Sequence, residues 1–185
     1  MLKRFYIDLK KYFPYSLVSA KSQLKAEVAN SYLNWLWWIL DPLCFMFIYT
    51  FIFGYVFKAK EPYFPVFIFI GLSMWDFFNR MMTGSVKIIK NNKAIVSKVY
   101  LPKYILILVK IWVNGFKMLV SFGIVAFMIA AWRIPLTWNV FYFFPVMVLL
   151  LLFSFGCSVH LLHHGVFLED LSNVVGIVLR MFFYL

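Results

Sequence analysis

Five long apolar runs divide the chain, at residues 33–57, 63–83, 104–131, 134–162 and 171–185. A helix rises 1.5 Å per residue, so roughly 20 apolar residues cross the ~30 Å hydrocarbon core of a bilayer. Only Asp41 interrupts the first run, and the second holds Asp76 and Arg80. The third carries Lys110 and Lys117, and the fourth has no Asp, Glu, Lys or Arg. The pattern predicts an all-α polytopic membrane protein with at least five spans. The first run is too long and starts too far into the chain for a signal peptide. The fifth is still apolar at Leu185, which leads us to expect a sixth span in a longer protein.

Ahead of the first run, Leu2, Phe5, Leu9 and Phe13 recur at helical spacing, with Lys3, Arg4, Lys10 and Lys11 elsewhere on the wheel. Such a basic amphipathic helix suits a membrane surface. Pro14 is expected to end it, with a second, polar helix over 16–31. We read residues 1–31 as an amphipathic segment leading into a single transmembrane domain that fills 1–185, with no internal repeat.

Composition strengthens the membrane reading. Of 185 residues, 64% are apolar, 22% aromatic and 14% charged, and mean hydropathy is +0.86. A soluble chain of this size exposes about a third of its unfolded surface and could not hide so much apolar area. A soluble enzyme, a disordered tail and a disulfide scaffold are excluded. Cys44 and Cys157 lie inside apolar runs, where a thiol behaves as a small hydrophobe.

Net charge is +11, from 18 Lys and Arg against 7 Asp and Glu. The cations cluster between the apolar runs, which argues for topology and anionic headgroups and against nucleic acid. Lys3, Arg4, Lys10, Lys11, Lys21 and Lys25 precede the first run, and Lys87, Lys90, Lys93, Lys98 and Lys103 lie between the second and third. The alternate connections hold only Lys58, Lys60 and Arg133. The N-terminus is therefore expected in the cytoplasm. The turn from His163 to Asp170, cytoplasmic by this count, has no Lys or Arg.

Charges inside spans are costly and mark pairing or function. Asp41 and Asp76 lie about 10–12 Å, and Lys117 about 20 Å, from the cytoplasmic ends of their spans. Lys117 is expected to pair with Asp76 or Asp41, with Arg80, one turn from Asp76, competing for the same carboxylate. The alternative is contact with a phosphate-bearing ligand, which Lys110 and Asn114 on the same face as Lys117 would join. Trp35, Trp38, Phe45, Tyr49 and Phe53 form one aromatic stripe, and Phe47, Phe51 and Tyr55 a second. Either the first stripe lines a path for sugars, which stack on flat rings, or these rings face lipid and neighbouring helices.

His160 and His164 stand four apart, with His163, Glu169 and Asp170 nearby, but lack the intervening Glu of H-E-x-x-H. They sit at a helix end where polar groups meet water, so no metal site and no catalytic residue is assigned. No G-x-x-x-x-G-K-[ST] phosphate loop occurs in these residues, so ATP chemistry is expected on another chain.

Three stretches together resemble the permease subunits of type-2 ABC exporters for polysaccharide, O-antigen and teichoic acid. The first is Ser31-Tyr-Leu33-Asn-Trp35-Leu36-Trp37-Trp-Ile-Leu40-Asp-Pro42-Leu43. The second joins Tyr63-Phe-Pro65 and Gly71-Leu72-Ser-Met-Trp75-Asp-Phe77-Phe78 to Ile95-Val-Ser-Lys98-Val and Leu101-Pro102-Lys103. The third is Phe167-Leu168-Glu169-Asp170. Glu27 and Val28 stand where Arg-Tyr is common in that family.

The resemblance implies a homodimeric permease in the bacterial cytoplasmic membrane, with two ABC ATPase subunits that hold ATP and Mg, no cofactor in this chain, and a lipid-linked glycan or teichoic-acid polymer as cargo. It also places the family's ATPase-coupling helix at residues 86–100, which alone would read as a solvated cationic loop. Ile88, Ile89, Lys90, Asn91, Lys93, Ile95 and Val96 then become coupling residues, with an apolar ridge of Ile88, Ile89, Ile95, Val96 and Val99. Two rival readings are a type-2 exporter of small hydrophobic molecules and a membrane enzyme using His160 or His164.

Overall fold

The computed structural model describes residues 2–29, 34–58, 61–98, 100–135, 137–168 and 170–185. Ser31, Tyr32, Leu33, Lys60, Val99 and Glu169, named above, lie outside them, as do the side chains of residues 2–6 and 34. The described residues form helices and turns, with no strand.

Helix α1 (Leu2–Ala29) is followed by α2 (Asn34–Tyr49), which runs into a π-helical stretch, Thr50–Val56. Then come α3 (Phe64–Val86), two single turns α4 (Ile88–Asn91) and α5 (Lys93–Val96), and α6 (Lys103–Ala131). A 3₁₀ turn (Trp138–Tyr142) leads into α7 (Phe143–Gly165), and α8 (Leu171–Tyr184) closes the described chain. Three stretches are long and apolar enough to cross a bilayer: Trp35–Val56, Lys103–Ala131 and Trp138–Gly165. At 23 residues α3 spans about 34 Å, but it carries an ion pair and lies inside the bundle.

The bundle is built around α3, which packs against α2, α6, α7 and α8. Val66, Phe69, Ser73, Phe77, Met81 and Ser85 recur every three or four residues and are all buried. The two serines fit because each hydroxyl donates to its own helix, Ser73 to the Phe69 carbonyl at 2.7 Å and Ser85 to the Met81 carbonyl at 2.6 Å. On α7, which packs against α3, Ser154 and Ser158 are fully buried and Gly165 lies against the Val86 backbone, small residues of the kind on which helix contacts in lipid rely. Phe77, Met81, Ile88, Ile105, Ile107 and Leu162 fill the main core. Outside it, Phe47, Phe51, Phe127, Phe144, Leu149 and Leu152 present an apolar girdle. Water does not tolerate an apolar surface of that extent, whereas lipid does.

One expectation fails at the N-terminus. Pro14 does not break the helix; α1 continues through it to Ala29. Proline removes one N–H and frees the carbonyl four residues back, here that of Lys10 on the exposed face. Packing on both sides of Pro14 keeps the helix continuous. The Tyr104 hydroxyl donates to Asp8 at 3.2 Å, and Phe13 meets Trp112 edge-on at 5.6 Å. Beyond the proline, Ala20 is buried against Val109 and Val113, and Glu27 pairs with Lys117. Helix α1 is thus docked lengthwise along α6.

Candidate functional site

A cavity of about 430 Å³ opens between α2, α3 and α8. Asp41, Phe45 and Tyr49 reach it from α2 because residues four apart share a helix face. Trp75, Asp76, Asn79 and Arg80 line it from α3, and Arg180, Phe183 and Tyr184 from α8. Ring contacts close the aromatic wall: Tyr49 to Phe183 at 5.7 Å and Trp75 to Phe183 at 5.3 Å.

Two carboxylates and two guanidiniums share this space. Arg80 Nε donates to Asp76 Oδ2 at 2.7 Å across one helical turn. Both side chains stay about a third exposed, so the pair is held but not sealed off. Among the described residues Arg180 has no ion-pair partner. A guanidinium carries five donors in a fork that matches phosphate, carboxylates accept hydroxyl protons, and ring faces hold the C–H side of a sugar. The lining is therefore suited to a hydroxyl-rich or phosphate-bearing ligand in an otherwise apolar body.

The sequence expectations divide here. Lys117 does not pair with Asp76 or Asp41. Its Nζ lies 2.7 Å from Glu27 Oε2 and 5.1 Å from the centre of the Trp38 ring, while Arg80 takes Asp76. The correction has a spatial cause: Lys117 points to the α1 side of α6, away from the cavity between α2, α3 and α8. In the aromatic stripe, Phe45 and Tyr49 line the cavity, whereas Trp38 packs edge-on against Phe116 of α6 at 6.3 Å. Trp35 is exposed outside the cavity, and Phe53 stacks between Tyr49 and Phe57 on the π-helical stretch, at 5.9 and 5.6 Å. Arg180 escaped the sequence reading, although a cation in the fifth apolar run is the same signal that singled out Lys117.

The 86–100 loop also differs from a single ridged helix. Asn92 separates two four-residue turns, its side-chain amide donating to the Ile88 carbonyl at 2.7 Å. Ile88 is 1% exposed and belongs to the bundle core, with Ile89 and Val96 packed against it. The outward face is Lys90, Asn91, Lys93 and Ile95, and Ile95 is 40% exposed. At the neighbouring end of α7, His160, His163 and His164 are exposed, with His163 against His164 and Phe167.

Three stretches of membrane-crossing length in a helical bundle with an apolar outer girdle define a polytopic helical membrane protein. No family model matches the chain. It is, however, 29% identical over 163 residues to the O-antigen export system permease protein RfbA of Myxococcus xanthus, covering 88% of this chain and 62% of that protein. Two proteins of the same name from Klebsiella pneumoniae are 25% and 28% identical over 173 and 175 residues, 93% of this chain and 67% of each relative. The chain thus spans about two-thirds of the length of the curated relatives it matches. These relatives are named as permeases of O-antigen export, one of the cargo classes of the family that the span and loop motifs resemble.

Proposed function

We infer that this chain is the membrane-spanning subunit of an ABC exporter that carries a lipid-linked O-antigen-type polysaccharide across the bacterial cytoplasmic membrane. The observation that carries the reading is the cavity joining Asp41, the Asp76–Arg80 pair and Arg180 to the rings of Phe45, Tyr49, Trp75 and Phe183. Charge of this kind inside the apolar runs of a membrane chain is too costly to be kept without a use. Its mixture of guanidinium, carboxylate and ring is what a phosphate-linked sugar chain needs for weak, successive contacts. The likeness to permeases of O-antigen export supports the same cargo class.

In this reading two copies assemble around the path, the N-terminus and the Lys-rich loop face the cytoplasm, and two separate ATPase subunits bind ATP and Mg. The outward face of the loop, Lys90, Asn91, Lys93 and Ile95, meets the ATPase, while Ile88, Ile89 and Val96 root the loop in the core. Closure of the ATPase pair then moves α3 and α6 through a packed junction and not through a free lever.

The test is purification of the full-length protein in detergent from its own host. A P-loop ATPase should accompany it in equal amount, and I95D/K93E should release that subunit while leaving the permease folded. Recovery of the permease with no ATPase under mild conditions contradicts the reading.

A further inference from the structure

A second groove, of about 820 Å³, runs between α1, α6 and α7. Its character is opposite to that of the α2–α3–α8 cavity. Phe116, Leu119, Met147 and Leu151 line its length, and among the described residues its only charged side chains are Lys21 and Lys25. These lysines stand one turn apart on α1, so their ammonium groups can converge on a single anion. Both are exposed, and neither has an ion-pair partner among the described residues. Glu27, the acid two residues from Lys25, is engaged by Lys117. The groove therefore pairs uncompensated positive charge with an apolar trough.

We propose that this groove is a binding site for an anionic phospholipid, with the headgroup phosphate between Lys21 and Lys25 and an acyl chain along Phe116, Leu119, Met147 and Leu151. Charge complementarity selects the headgroup, because basic pockets beside membrane helices favour anionic lipids over zwitterionic ones. The trough selects the tail, because an empty apolar groove facing a bilayer fills with hydrocarbon. A polar glycan finds few partners here, since the walls offer almost no hydrogen-bonding groups. The lipid would fasten α1 to α6 beside the Glu27–Lys117 pair. The inference needs the chain to sit in a bilayer and does not depend on what it exports.

Gly115 supplies a clean test. It lines the groove, and a Cβ added there meets nothing within 4 Å. Gly115→Leu therefore places its Cβ without a clash and adds apolar volume to the groove wall, and K21Q/K25Q removes the two positive charges from exposed positions. The delipidated full-length protein in detergent is titrated with phosphatidylglycerol and with phosphatidylcholine, with bound lipid counted by native mass spectrometry. The wild type should prefer phosphatidylglycerol by about tenfold or more. K21Q/K25Q should erase that preference, and G115L should weaken both lipids, each variant keeping a cooperative melt. Equal affinity for the two lipids in the wild type, or unchanged phosphatidylglycerol binding in K21Q/K25Q, overturns the proposal. So does displacement of phosphatidylglycerol by a polyprenyl diphosphate at lower concentration, which would assign the groove to a carrier lipid.

Discussion

Lys117 of α6 and Glu27 of α1 meet at 2.7 Å, with Lys117 only 12% exposed and Glu27 37%. The pair fastens the end of the amphipathic helix to the membrane body, and Trp38 covers the ammonium from α2. Removing one partner leaves the other charge poorly solvated. Glu27→Gln should therefore lower stability by about 1–2 kcal/mol, less than for a fully buried pair because Glu27 retains contact with solvent. Thermal melts in detergent measure this, and E27L/K117M should recover most of the loss. A melt of E27Q equal to that of the wild type would show that the pair contributes nothing.

Gly165 lies against the backbone of Val86 where α3 hands over to the loop. A Cβ at Gly165 would stand 3.0 Å from the Val86 carbonyl carbon and Cα and would overlap its oxygen. No rotamer relieves a clash with backbone, so α7 must move away from α3. Gly165→Ala should cost about 1–3 kcal/mol, the usual range for forcing extra volume into a packed contact. Gly71→Ala, which meets open space, should be neutral or slightly stabilising in the same melt.

The loop should separate into two kinds of residue. Ile88→Ala empties core volume and should destabilise the permease by about 2–5 kcal/mol. Ile95→Asp, on the exposed face, should leave the melt within about 0.5 kcal/mol of wild type while reducing recovery of the ATPase in pull-downs. If both variants affect stability alike, the division between root and contact face is wrong.

Much of this architecture was legible in the residue pattern, because lipid demands long apolar runs and tolerates few charges within them. Helices α2, α3, α6, α7 and α8 fall where those runs lie. What escaped was pairing across sequence distance. Glu27 sits in a polar stretch that reads as cytoplasmic, and nothing local shows that α1 climbs along α6 to meet Lys117. Pro14 looked like a stop because propensity is local, whereas contacts at Asp8, Phe13 and Ala20 decide the outcome. In the sequence Ile88 and Ile95 both alternate with cations at short-helix spacing, as on one ridge. The break at Asn92 puts the two on different faces.

Within the cavity, Arg180 is the guanidinium without a carboxylate partner among the described residues. Arg180→Gln should cut polymer export by about tenfold or more, the worth of one charge-assisted contact, with the amount of permease in the membrane unchanged. Export is read as surface polysaccharide per cell by immunoblot. Retention of full export in R180Q would remove Arg180 from the path.

The most direct measurement compares surface and internal polysaccharide in the host strain with the gene removed. Surface polymer should vanish while lipid-linked polymer accumulates inside the cell, and the full-length gene should restore export. Unchanged surface polymer, or its loss with no internal accumulation, would contradict a role in moving finished chains across the membrane.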